Sequence, residues 1–229
     1  MEDSRSLEEW ILEVDHLFIC TDKNAVAGDL LVKSGFSEGS SNTHSGQGTA
    51  NRRFFFQNLM LELLWAANLD EIASPKTRPL RLYEQCVVRS PATCPFGLVL
   101  RPTFETGEEA PFPTWNYCPD YLPKPLRMQV GSDTLLSEPN VLYFGFARGR
   151  GISPTEETTN HKLGVSRVTR FEIHIDQAEE FSEVVQAVNK MGNLKIAKGN
   201  QHLLVLEFDN QAQGLRINYL PHLPLEIRY

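Results

Sequence analysis

The chain has 229 residues, 41% of them hydrophobic, with 22 basic and 29 acidic residues and a formal net charge of −7. This length and composition suit a globular protein with a substantial core, as one large domain or two small ones. The acidic balance argues against a nucleic-acid partner, because phosphate binding requires a basic face. No apolar run approaches the roughly 20 residues that a membrane span needs.

The opening residues Met1-Glu2-Asp3-Ser4-Arg5-Ser6 lack the charged and apolar blocks of a signal peptide. Residues 12–20 then read as a strand. Asp22 is a natural helix cap, the run from Asn24 to Lys33 is helix-like, and Gly35 suits a left-handed helix end. A polar loop, His44-Ser45-Gly46-Gln47-Gly48-Thr49-Ala50-Asn51, leads into strands around Arg52–Phe56 and Leu59–Trp65. Gly46 and Gly48 are placed to adopt positive φ. Residues 71–165 are rich in Pro and aromatics, including Trp115, Tyr117 and Tyr121, with strand-like runs at 96–101 and 141–147. So long a stretch with so many aromatics reads as a lid or an interface rather than a linker. Arg148-Gly149-Arg150-Gly151 reads as a solvated loop.

From residue 166 the order of the first unit returns. Val168 to Ile175 reads as a strand, and Asp176 with Glu179 can form a capping box. Phe181, Val184, Val185 and Val188 fall at helical spacing, and strands follow at 194–197, 202–208 and 214–220. Units at 8–70 and 166–229 therefore both read βαβββ. The four cysteines, Cys20, Cys86, Cys94 and Cys118, show no metal-ligand spacing. They suggest free thiols in a reducing cytoplasm, with a Cys94–Cys118 bridge as the lesser alternative.

Alternate residues of a strand share a face. Val14, His16, Phe18 and Cys20 then oppose Leu17 and Ile19. Met60, Glu62 and Leu64 oppose Leu61, Leu63 and Trp65.

Asp15-His16, the run from His44 to Asn51 and Leu61-Glu62-Leu63 together resemble the glyoxalase-like branch of the vicinal oxygen chelate superfamily, with Ser45 where that branch usually has Pro. The resemblance covers roughly residues 12–66 and implies an α+β fold. In it, paired βαβββ modules form a cupped, mostly antiparallel sheet around a small-molecule site. It also implies that His16 and Glu62 point inward, where they suit a divalent metal such as Zn, Mn, Fe, Co or Ni.

Aligning the caps Asp22 and Asp176 sets His16 opposite Arg170, Cys20 opposite His174, and Glu62 near Arg216. Arginine does not ligate metals. Two readings of the cup follow. In the first, His16, Glu62 and His174 hold a metal and Glu172 moves the proton of a lyase, isomerase or dioxygenase reaction on a substrate with vicinal oxygens. In the second, Arg170 and Arg216 bind a small organic anion without metal. His44, Thr49, Asn51, Trp115 and Tyr117 are ligand-contact candidates in either case. A third reading makes the Pro/aromatic segment a homodimer interface. The alternative for His16 and Glu62 is a buried hydrogen-bonded pair, and for the loop it is turn chemistry. No Ser-His-Asp, Cys-His, P-loop or dinucleotide motif stands out.

Overall fold

A computed structural model describes residues 12–103, 108–147, 157–176 and 180–229. The opening hexapeptide, Arg148 to Gly151 and Glu179 lie outside the described residues. The protein is α+β, with two mixed sheets of eight and five strands and few, short helices.

In the first unit, β1 (Leu12–Cys20) is followed by α1 (Gly28–Lys33), then β2 (Asn42–His44), β3 (Thr49–Phe55) and β4 (Met60–Ala66). The helix is shorter than the sequence suggests. Asn24 takes a left-handed conformation, with φ 65°, which confines residues 23–25 to a separate 3₁₀ turn. Past β4, α2 (Leu69–Ile72) begins where the Asn68 side chain accepts hydrogen bonds from the N–H groups of Asp70 and Glu71.

The middle segment continues the same sheet. β5 (Phe96–Pro102), β6 (Thr114–Tyr117), β7 (Met128–Gly131) and β8 (Asn140–Tyr143) complete the order β2-β3-β4-β1-β5-β8-β7-β6. Each half reads 2-3-4-1 in its own numbering. β1 is parallel to β4, β5 is parallel to β8, and β1 meets β5 antiparallel at the centre. The partner of the first unit is therefore 96–143, not the C-terminal strands. The sequence conceals this because the second half keeps the strand pattern but has no inward counterpart of His16 and Glu62: Val99 and Asn140 stand in their rows.

The C-terminal segment forms the second sheet: β9 (Val168–Ile175), α3 (Glu183–Val188), β10 (Leu194–Lys198), β11 (Leu203–Phe208), β12 (Arg216–Asn218) and β13 (Leu225–Arg228). It has one strand more than βαβββ, and α3 is capped by Ser182 rather than by Asp176. Its order, β10-β9-β11-β13-β12, repeats β4-β1-β5-β8-β7 of the first sheet in both sequence and direction.

The two sheets pack back to back. Leu17, Ile19, Leu61, Leu63, Leu98 and Val141 of the first meet Phe171, Ile173, Leu204, Leu206, Leu225 and Ile227 of the second in one apolar core. Burying each such side chain is worth about 1.5–3 kcal/mol. Val14 also joins this core, not the cup. The reason is a β-bulge: Val14 pairs with Leu100 and His16 with Val99, so Asp15 is an extra residue that resets the alternation.

The opposite face of the first sheet is concave and has its own apolar floor, including Phe18, Cys20, Leu64, Leu82, Val99 and Met128. Phe18 lies over Gly97, where an added Cβ would come within 1.8 Å of the ring. Gly97→Ala should therefore destabilise the protein by about 1–3 kcal/mol, read as a lower urea midpoint with an unchanged slope.

Candidate functional site

A cavity of about 350 Å³ occupies the concave face. The first half supplies polar groups, His16, His44, Gln47 and Glu62. The second half supplies an apolar wall, chiefly Val99, Met128, Leu142 and Phe144. Leu80 and Leu82, from the segment between β4 and β5, close one side. Tyr121, between β6 and β7, bridges the halves, its hydroxyl donating to Gln47 Oε1 at 3.0 Å.

His16 reaches the cavity beside the bulge. Its Nδ1 bonds Asp15 Oδ1 at 2.7 Å, and Asp15 Oδ2 accepts from Arg101 Nη1 at 3.2 Å. That bond uses Nδ1 and leaves Nε2 for the cavity. Burial opposes a charge on His16, but the nearby Glu62 carboxylate and the bond to Asp15 outweigh it, so its pKa lies above the ordinary value. Burial likewise works against the charge on Asp15, but His16 and Arg101 hold its carboxyl below the usual range.

Glu62 is buried, and its Oε1 accepts from Asn51 Nδ2 at 2.9 Å. The amide of Asn51 is itself oriented, because its Oδ1 accepts the Asn42 backbone N–H at 2.8 Å. Oε2 is the carboxylate oxygen left for the cavity.

His44 is oriented by a chain of hydrogen bonds. Gln47 Nε2 donates to Thr49 Oγ1 at 2.9 Å, and Thr49 Oγ1 lies 2.9 Å from His44 Nδ1. Thr49 is fully buried, so its single proton is satisfied by pointing at Nδ1. The proton of the neutral ring then sits on Nε2. Burial and the neighbouring cations depress the His44 pKa, with Glu62 opposing, which keeps the ring neutral.

Thr49 and Asn51, ligand-contact candidates in the sequence, are thus supports behind the cavity-lining residues. Trp115 and Tyr117 lie on β6, the edge strand, and pack in the floor without lining the cavity. Arg53 shares the face of Asn51 and stands at the rim, bonded to the Ser40 carbonyl at 2.7 Å; Arg52 turns the other way to Glu38 and Asp29.

Arg170, Glu172, His174 and Arg216 are elsewhere. They lie on the second sheet, where Glu172 pairs with Arg170 at 3.1 Å and His174 at 3.4 Å. On β9 they alternate with Phe171, Ile173 and Ile175, which face the core, so both sheets and that core separate them from His16. The strands that precede Asp22 and Asp176 lie in different sheets, so the residues those two caps bring opposite each other in sequence are not neighbours in space.

These placements bear on a metal. His16 and Glu62 face the cavity as two donors, and Val99 and Leu142 stand across the seam in register with His16. Among the described residues no group of three or more His, Cys, Asp or Glu is placed to hold a metal ion. Sites for these metals take three or four protein ligands. The described donor set therefore does not fit one.

No family model and no curated protein matches the chain. Among solved structures it is similar in fold to a hypothetical protein from Staphylococcus aureus, at 12% identity and TM-score 0.51, covering 95% of this chain and 99% of that one. It also aligns with a xylose isomerase-like TIM barrel/4-hydroxyphenylpyruvate dioxygenase fusion protein, at 12% identity and TM-score 0.45, over 85% of this chain and 35% of that one. No helix among the described residues is long and apolar enough to cross a membrane.

Two measurements check this electrostatic picture. In an NMR pH titration, His16 should titrate above about 6.5 and His44 below it, and Glu62→Gln should move His16 downward. A raised folded-state pKa contributes stability that is complete below the unfolded pKa and lost as pH rises through the folded one. The stability advantage of wild type over Glu62→Gln should shrink along that course in denaturant titrations. Nitrogen-15 shifts should report Nδ1 as the unprotonated nitrogen of His44, and Thr49→Val should abolish that preference.

Proposed function

We propose that the cup binds a small carbonyl compound with an apolar body and promotes proton transfer at the carbon beside the carbonyl. The supporting observation is that His16, His44 and the Glu62 carboxylate line a single cavity; His16 donates from Nε2 as the imidazolium that its raised pKa favours, because Asp15 holds the Nδ1 proton. The carbonyl oxygen accepts from His16 and His44. Glu62 Oε2 takes the C–H proton, and the two donors stabilise the enolate oxygen where charge develops. A neutral imidazole donor beside a carboxylate base is a chemically sound pairing for this step. Val99, Met128 and Leu142 receive the apolar part of the substrate. The vicinal-oxygen-chelate-like fold supports a small-molecule role in general but selects no reaction.

The test is proton NMR in D₂O of small 2-oxo acids and 2-hydroxy ketones incubated with the protein and a chelator. Deuterium should enter the carbon beside the carbonyl, about 100-fold or more slowly with Glu62→Gln. Dependence on added metal, or indifference to Glu62→Gln, overturns the reading. Thermal stabilisation by the same compounds without exchange would make the cup a binding site only.

A further inference from the structure

Cys20 ends β1 on the cup side, and Cys86 lies in a single π-helical turn, Glu84–Val88. The two thiols are 66 residues apart in sequence, yet their Sγ atoms are 2.9 Å apart, and both are buried. Their neighbours Leu64, Leu80 and Leu82 line the cavity. Cys94 is also buried and Cys118 is exposed, so the two candidates for a bridge in the sequence are not a pair.

We infer that Cys20 and Cys86 are a disulfide-forming pair that staples the wall of the cavity to its floor under oxidising conditions. The co-reactant is a small-molecule disulfide such as oxidised glutathione. One protein thiol attacks it to give a mixed disulfide and release one reduced thiol. The second protein thiol then displaces the bound half, forming the Sγ–Sγ bond and releasing another reduced thiol. Two electrons and two protons pass from the protein to the small disulfide. The link joins residues 78–88, which carry Leu80 and Leu82, to the strand that carries His16 and Phe18. It therefore acts on the cavity without touching its polar groups. Burial pushes the Cys20 thiol well above its ordinary pKa, so exchange waits on opening of the 84–88 turn and is slow in the closed protein.

The test is thiol counting and peptide mapping of the native protein after incubation with oxidised glutathione, alongside Cys118→Ser to silence the exposed thiol. Two of the four thiols should disappear and a single cross-linked peptide pair containing residues 20 and 86 should form. The thermal midpoint should rise and return on adding dithiothreitol. Cys86→Ser should give neither the cross-link nor the shift. All four thiols surviving in the wild-type protein, a glutathione adduct on Cys118 alone, or a bridge involving Cys94 each overturns the inference. Because this outcome is read on wild-type protein by mass, it stands apart from whether Glu62 moves a proton.

Discussion

The antiparallel pairing of β1 with β5 joins the two halves of the large sheet, and between Leu12 and Ile19 Asp15 is the one residue for which that pairing has no partner. Without the extra residue, Val14 and His16 would share a face and the strand would run on as a plain alternation. With it, Val14 turns into the core between the sheets and His16 emerges in the cup beside its own carboxylate partner. Every other polar group of the cavity is measured from that seam. Glu62, Phe18, Gly97 and Asn140 form one row across four strands, and His16, Val99 and Leu142 form the next.

The two halves of the cup share a topology and divide the chemistry. The first carries most of the ionisable groups, and each is held by a second residue: Asp15 by Arg101, Glu62 by Asn51, and the neutral His44 by Thr49. A buried carboxylate or imidazole left to itself would lose its charge or its orientation. The second half presents mainly apolar side chains, Val99, Met128, Leu142 and Phe144, with the Asn140 amide in the row of Glu62. A cavity built this way orients a ligand by having one polar wall and one apolar wall.

Much of this was legible in the sequence. The alternation set Met60, Glu62 and Leu64 on one face of their strand, the family resemblance turned that face inward, and the glycines at 46 and 48 marked a turn that does adopt positive φ. Three things were hidden. A one-residue bulge leaves no mark in a periodic pattern, so Val14 was assigned to the cup and Asp15 to no role. The second half of the sheet has one buried charged residue on the cup side, Arg101, and no His or acidic residue there to announce it among those described, so the Pro/aromatic segment reads as a lid or interface and the charged C-terminal strands read as the partner. Residues that close the cavity from outside the strands, Tyr121, Leu80 and Leu82, follow no strand period. Thr49 and Asn51 were visible as important, but only their full burial distinguishes support from contact.

The back-to-back packing has a consequence for how this chain can be divided. The convex face of the cup is as apolar as the face of the second sheet that covers it, and Val184 of α3 packs within reach of Gly131 on β7. Neither sheet has a polar back of its own. The C-terminal strands thus serve the cup as a wall serves a roof, although they contribute nothing to its cavity. A protein cut near residue 165 would keep every residue that lines the cavity and still leave Leu17, Leu61 and Leu98 facing water. The cup stays covered only while the two sheets remain together.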